Sequence, residues 1–370
     1  MRGRRHFLTS LFATTIVPKV GWAAVGSPAY LSAGRDRTGV FFLSGLTENA
    51  EITFSVPLPA RGHAAAAHPF LAEAVGFARR PGLFAVVIDC STGAVLATLA
   101  PPEGRHFYGH GAYSQDGQFL FTTENDFDAS RGIIGVWDAT RNYRRVAELS
   151  SGGIGPHEMR LMPGGETLVV ANGGIATHPK TGRQKLNLPT MQPNLTYLSL
   201  TGDILETVEL PSDYQLNSIR HLAVSQDGTV AFGMQWQGDR GAAPELLGVH
   251  RAEGNVRLFQ GDEINHQRMQ GYVGSVSFDH TQQRIGVTSP RGGLVQAFDL
   301  ENGGDLGVFD DADVCGLSAN QQGFIATNGN GQITRLTDLR PLERIQHAVQ
   351  WDNHLVQLTD AHAMPKTRSF

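Results

Sequence analysis

Seven similar units recur along this chain, and their spacing is the feature that most limits its fold. Each opens on a histidine or glycine, runs through a short apolar stretch, turns, and enters a second apolar stretch. The opening residues are His63, His110, His157, His221, Gly274, Gly316 and His354, separated by 47, 47, 64, 53, 42 and 38 residues. A period of roughly 40–50 residues is that of a four-stranded propeller blade. The turns include Gln115-Asp116-Gly117, Pro163-Gly164-Gly165 and Gln226-Asp227-Gly228, and several third strands end on Asp, at Asp89, Asp138 and Asp299. Short apolar runs punctuated in this way argue for an all-β chain, and the 44 glycines suit its many turns.

The two ends complete the count. His354 opens a unit with only one apolar strand, 354–360, while 29–36, 39–45 and 51–59 are three strands without a fourth. Pairing them makes a full blade and removes two open sheet edges. The expectation is a single seven-bladed β-propeller over residues 28–370, closed by N-terminal strands pairing with the C-terminal strand. Segment 172–194 stretches the 64-residue unit and is a candidate lid or partner contact.

Residues 1–23 read as a leader rather than as fold, with basic residues ahead of an apolar stretch. Arg4-Arg5-His6-Phe7-Leu8 resembles a twin-arginine signal, which implies a periplasmic location. Beyond the leader nothing approaches the ~18 unbroken apolar residues of a membrane span. A net charge of −5 and the lack of a basic stripe argue against nucleic acid as a partner. Cys90 and Cys315 fall in separate blades beside apolar positions and are expected to be buried free thiols.

Two resemblances add to this reading. Residues 156–174, PHEMRLMPGGETLVVANGG, resemble the YVTN-type propeller repeat, with Gly164 where that repeat usually has Asp. In its general layout, and in GHGAYSQDG (109–117) and GPHEMR (155–160), the chain resembles an uncharacterised family of exported bacterial propellers. Such proteins carry a twin-arginine leader and are typically encoded beside imelysin-type iron-uptake proteins. The resemblance implies iron and periplasmic imelysin-type partners; it implies no activity.

The residues themselves point to a site. The first strand of a propeller blade lines the central channel, so His63, His110, His157, His221 and His354 should form an arc at one mouth. Imidazole is a common ligand for transition metals such as iron or copper. His63, His110, His157 and His221 are the candidate metal ligands, with His354 as a further contact. Opposite sides of a channel are expected to lie too far apart for bonds near 2 Å, which favours adjacent pairs such as His110 and His157. Each histidine could instead fix its own turn. Glu158 is the nearest carboxylate to hold a second ring nitrogen; Arg160 shares its strand face and Arg220 precedes His221. Glu124 and Asp126, in the same-face loop 123–132, are candidate oxygen ligands. If metal binds, affinity should fall as pH drops through about 6.5, where free imidazole protonates.

G-x-S-x-G, H-E-x-x-H, C-x-x-C-H and P-loop signatures are all missing from the sequence. The favoured reading is a binding or accessory protein in metal handling. An enzyme using the same histidines, a lactonase-like hydrolase or a metal-dependent oxidoreductase, is the first alternative. A protein-interaction scaffold is the second.

Overall fold

The computed structural model describes residues 19–79, 82–182 and 184–358. Its strands form seven four-stranded antiparallel sheets, the expected blades. The innermost strands, counted from the closing blade, are Val349–Gln357, Gly62–Ala67, Arg105–Tyr113, Pro156–Leu161, Asn217–Val224, Ser275–Phe278 and Val314–Asn320. Each packs against the inner strands of the two neighbouring blades, so the ring is closed.

Blade 1 is the joint. Its inner strand Val349–Gln357 pairs with Tyr30–Asp36, which continues to Phe41–Leu46 and Ile52–Pro57. The register runs Tyr30↔Gln357 to Ser32↔Leu355, shifts, and resumes at Gly34↔Trp351. The joining strand therefore begins at Val349, ahead of the expected 354, because Val349–Trp351 pair with Asp36–Gly34. Residues 359–370 lie outside those described.

Blades are held to one another by side chains that alternate inward from facing sheets. Between blades 2 and 3, Phe77 and Phe107 are fully buried and pack with Leu120 and Trp137. Removing a side chain of this size from water is worth roughly 1.5–3 kcal/mol. The Cys90 and Cys315 thiols are free and buried, and burial pushes both up to about 12.

Three local features were not expected. Residues 263–268 form a short helix, Glu263–Arg268, capped by the Asp262 carboxylate, and it accounts for part of the 53-residue spacing. Second, the stretch from Lys19 to Val25, whose first residues were counted with the leader, packs on blade 2. Lys19 pairs with Glu73 at 2.9 Å, and Trp22 Nε1 donates to the His68 carbonyl at 2.8 Å. The twin-arginine stretch itself lies outside the described residues. Third, the long insertion is braced rather than open. Asn187 accepts from the Ala176 N–H and donates to the Gly174 carbonyl, and the His178 ring packs on Phe127 with its Nε2 3.2 Å from Asp128. It lies folded over the loop of the preceding blade. No helix among the described residues is long and apolar enough to cross a membrane.

Candidate metal centre

Each histidine of the arc sits at a bulge in, or in register with, its inner strand. The pairing skips from Pro156 to Glu158, from Phe107 to Gly111, from Gly62 to Ala65 and from Ile219 to His221. In blade 1 it skips from Trp351 to Leu355. A bulge adds a residue without a partner and re-aims its side chain. His110, His157 and His354 are the residues directly before pairing resumes. His63 lies two before, and His221 is itself the first residue back in register opposite Gly233. The sequence offsets were thus equivalent only to within a residue. Gly109 shows how tightly the rings approach. Its φ is +98°, and a Cβ there would lie 2.5 Å from His63 Cδ2.

The five rings form one cluster. His110 Nε2 lies 3.2 Å from His63 Nε2. Ring centroids are 5.0 Å apart for His110 and His157, 4.7 Å for His157 and His221, and 4.7 Å for His63 and His354. The expected limit to adjacent pairs does not hold: His354 also lies 4.8 Å from His110 and 5.0 Å from His221. The physical reason is that bulges project the rings inward. The two blades between His221 and His354 have Gly274 and Gly316 near this level, and the rings close across the channel.

Two triads result, His63–His110–His157 and His110–His221–His354, and within each the ligand atoms lie within 4.8 Å of one another. Two nitrogens on one tetrahedral ion at 2.0–2.1 Å stand about 3.4 Å apart. The His63–His110 separation already matches that value, and small side-chain rotations would draw in the rest. His157 Nδ1 and His354 Nε2 are buried without a hydrogen-bond partner. Such an unmet polar atom costs about 1–3 kcal/mol, which an ion or an ordered water would offset.

Glu158 lies against two of the histidines. Its Oε2 is 3.3 Å from His221 Nδ1, accepts from the Leu222 N–H at 3.3 Å, and lies 3.9 Å from His110 Nδ1. Its Oε1 pairs with Arg160 at 2.7 Å. Burial opposes its charge, but the Arg160 guanidinium and the bonds from His221 and Leu222 hold the carboxyl below its usual range. A carboxylate on Nδ1 keeps the proton there and leaves Nε2 as a lone-pair donor.

Burial pushes the imidazoles of His110, His157 and His354 well below the ordinary histidine range. Repulsion among the rings adds to this, as do Arg220 near His157, and Arg160 and Arg79 near His354. They are neutral, the form that binds metal. The fall of affinity expected near pH 6.5 is accordingly displaced to lower pH. Metal-free protein should also lose stability in acid. Below about pH 6.5 the unfolded chain takes up protons at these positions that the folded chain does not. Unfolding free energy should then fall by up to about 1.4 kcal/mol per pH unit for each of the three, with no such slope at higher pH. Glu158 acts in the same direction further into acid. Urea titrations at pH 8, 6.5 and 5 measure this, and a midpoint unchanged between pH 6.5 and 5 would refute it.

Other candidates lie elsewhere. Glu124 is fully buried within blade 3, where Arg145 grips both its oxygens at 2.6 and 3.0 Å and Thr122 donates to it. Asp126 pairs with Arg131 at 2.9 Å. Neither joins the histidines, because strand alternation turns Glu124 toward the outer strand that carries Arg145. His68 accepts the Phe70 and Leu71 N–H groups on Nδ1 and fixes a turn. Sequence reasoning missed Asp352, which holds Arg61 at 2.7 Å and Arg79 at 3.4 Å close to the cluster. Their separation along the chain leaves no local signal. It also missed Cys315, which occupies in blade 7 the bulge position that His157 occupies in blade 4.

A cavity beside the rings is lined by His110, His221, His354, Glu158, Gly111 and Ser275. Its volume is about 30 Å³. That is room for an ion with a water or two.

Comparison with known proteins bears on the fold. The family model described as a protein of unknown function (DUF1513) matches residues 56–358. No curated protein matches the sequence. Among solved structures, a chain of Kuenenia stuttgartiensis hydrazine synthase is similar, with a TM-score of 0.61 and 12% identity. The match covers 92% of this chain and 100% of that one. At that identity the likeness concerns the fold alone.

Proposed function

The chain belongs to the DUF1513 family, and we propose that it is a periplasmic metal-binding protein whose ligands are the clustered imidazoles at the channel mouth. The observation that carries this reading is the convergence of five histidines from five blades, with two buried ring nitrogens lacking any other partner. One ion would be held by either triad, His63, His110 and His157 or His110, His221 and His354, because the two share His110. Glu158 would orient His221. Imidazole donors suit iron, copper, zinc or nickel. Iron, and imelysin-type uptake proteins as partners, come from the resemblance in the sequence. The cavity lined by His110, His221 and His354 has room for an ion.

The test is metal analysis of protein taken from the periplasm, followed by titration of chelator-treated protein with Fe(II), Cu(II), Zn(II) and Ni(II). About one equivalent of one ion should bind with sub-micromolar affinity. A protein that arrives metal-free and binds none of the four more tightly than about 100 µM would overturn the reading.

A further inference from the structure

Glu158 and Arg160 lie two residues apart on the inner strand Pro156–Leu161 and project from one face of it. Both line the cavity beside the rings, together with all three imidazoles of the second triad, His110, His221 and His354. Ser275, at the start of the inner strand of blade 6, completes the polar part of the wall. The contacts inside it are close. Glu158 Oε1 is 2.7 Å from an Arg160 terminal nitrogen, and its Oε2 is 3.3 Å from His221 Nδ1 and 3.9 Å from His110 Nδ1. Glu158 itself is buried, whereas the Arg160 side chain keeps 41% of its surface exposed. Arg160 uses one terminal nitrogen on Glu158, and its Nε is buried without a hydrogen-bond partner. Glu158 is its one ion-pair partner among the described residues.

The charges in this cavity do not balance once an ion is bound. Imidazole ligates an ion in its neutral form, so three of them leave both charges of a divalent ion uncompensated. Glu158 does not supply the balance, because Arg160 already offsets it. Net charge held away from water is costly, and an anion entering the cavity would offset it. Three ligands also leave a coordination position open on the ion. Arg160 stands ready as a second anchor, since a guanidinium matches carboxylate-type oxygens with its N–H donors. In a volume of about 30 Å³ a small anion can take the place of the water or two beside an ion.

We propose that this cavity is an anion site, in which a small carboxylate-type anion of the size of formate or bicarbonate binds between Arg160 and an ion held by His110, His221 and His354. The proposal rests on the metal reading and adds to it which triad is occupied and what fills the open position.

The experiment uses the full chain loaded with Cu(II) or Ni(II), whose visible absorption changes when a ligand enters the coordination sphere. Formate and bicarbonate are titrated at pH 8. One of them should change the spectrum saturably with a Kd below ~10 mM, and the tighter of the two identifies the anion. Chelator-treated protein, measured by calorimetry, should bind it at least ~10-fold more weakly, because one anchor is gone. Arg160→Gln should lose at least ~10-fold in anion affinity while holding the metal within ~3-fold of the parent. Arg160→Lys, which keeps a charge beside Glu158 but not the guanidinium donors, should hold the metal and lose at least ~3-fold in anion affinity. It decides the matter if Arg160→Gln loses the metal. A metal-loaded parent whose spectrum does not respond, or Arg160 variants that bind the anion as tightly as the parent, would overturn the anion site and leave the metal reading standing. A chain that takes up no metal overturns both.

Discussion

Replacing His110 with alanine should weaken transition-metal binding by at least ~100-fold, more than the loss of any other single imidazole. His110 belongs to both triads, whereas His63 and His157 serve one and His221 and His354 the other. Its Nε2 faces His63 at 3.2 Å, and its Nδ1 lies 3.9 Å from the Glu158 carboxylate that also holds His221. His157→Ala and His354→Ala each leave one complete triad, so each should retain measurable binding. His280→Ala, at an exposed position in a turn between strands, should change nothing. Calorimetric titration of the four variants, with far-ultraviolet circular dichroism as the check on folding, gives the comparison. Metal-free His110→Ala should fold, because the change removes a neutral ring whose own burial opposes its protonation. Undiminished binding in His110→Ala would remove the cluster as the metal site.

Ending the chain at Ala348 should abolish cooperative folding. The strand lost, Val349–Gln357, is the inner strand of blade 1, and its pairing with Tyr30–Asp36 joins the two ends of the chain in one sheet. It buries Trp351 and Leu355, each worth roughly 1.5–3 kcal/mol. Its removal also strips Arg61 and Arg79 of Asp352 and frees the Ser32 hydroxyl, which donates to the His354 carbonyl at 3.0 Å. Two inner strands would then face solvent, with one edge of Tyr30–Asp36 unpaired. These losses compare with the whole stability of a typical domain, about 5–15 kcal/mol. Calorimetry should find no unfolding transition, or one shifted down by more than about 15 °C. A truncated chain that melts with the full-length protein would refute closure through this strand.

The amino-acid sequence alone determined the blade count, the joining of the ends and the membership of the histidine cluster. Those properties are written locally: alternation along each strand, a Gly-Asp turn after it, and a repeat length that places like residues at like depth. Glu158 was legible for the same reason, lying next to His157 on a strand whose neighbours alternate in direction. The distances between rings were not legible. They depend on bulges that shift the register in the inner strands that carry the histidines, and on blades 6 and 7 carrying Gly274 and the pair Cys315-Gly316 where the others carry imidazoles. The same holds for Glu124, which looks like a loop ligand until Arg145, from the outermost strand of the same blade, closes on it. Local pattern specifies each blade; only the closure of seven blades around one axis specifies what meets across the channel, because those contacts join residues far apart in sequence through strand ends that no single repeat contains.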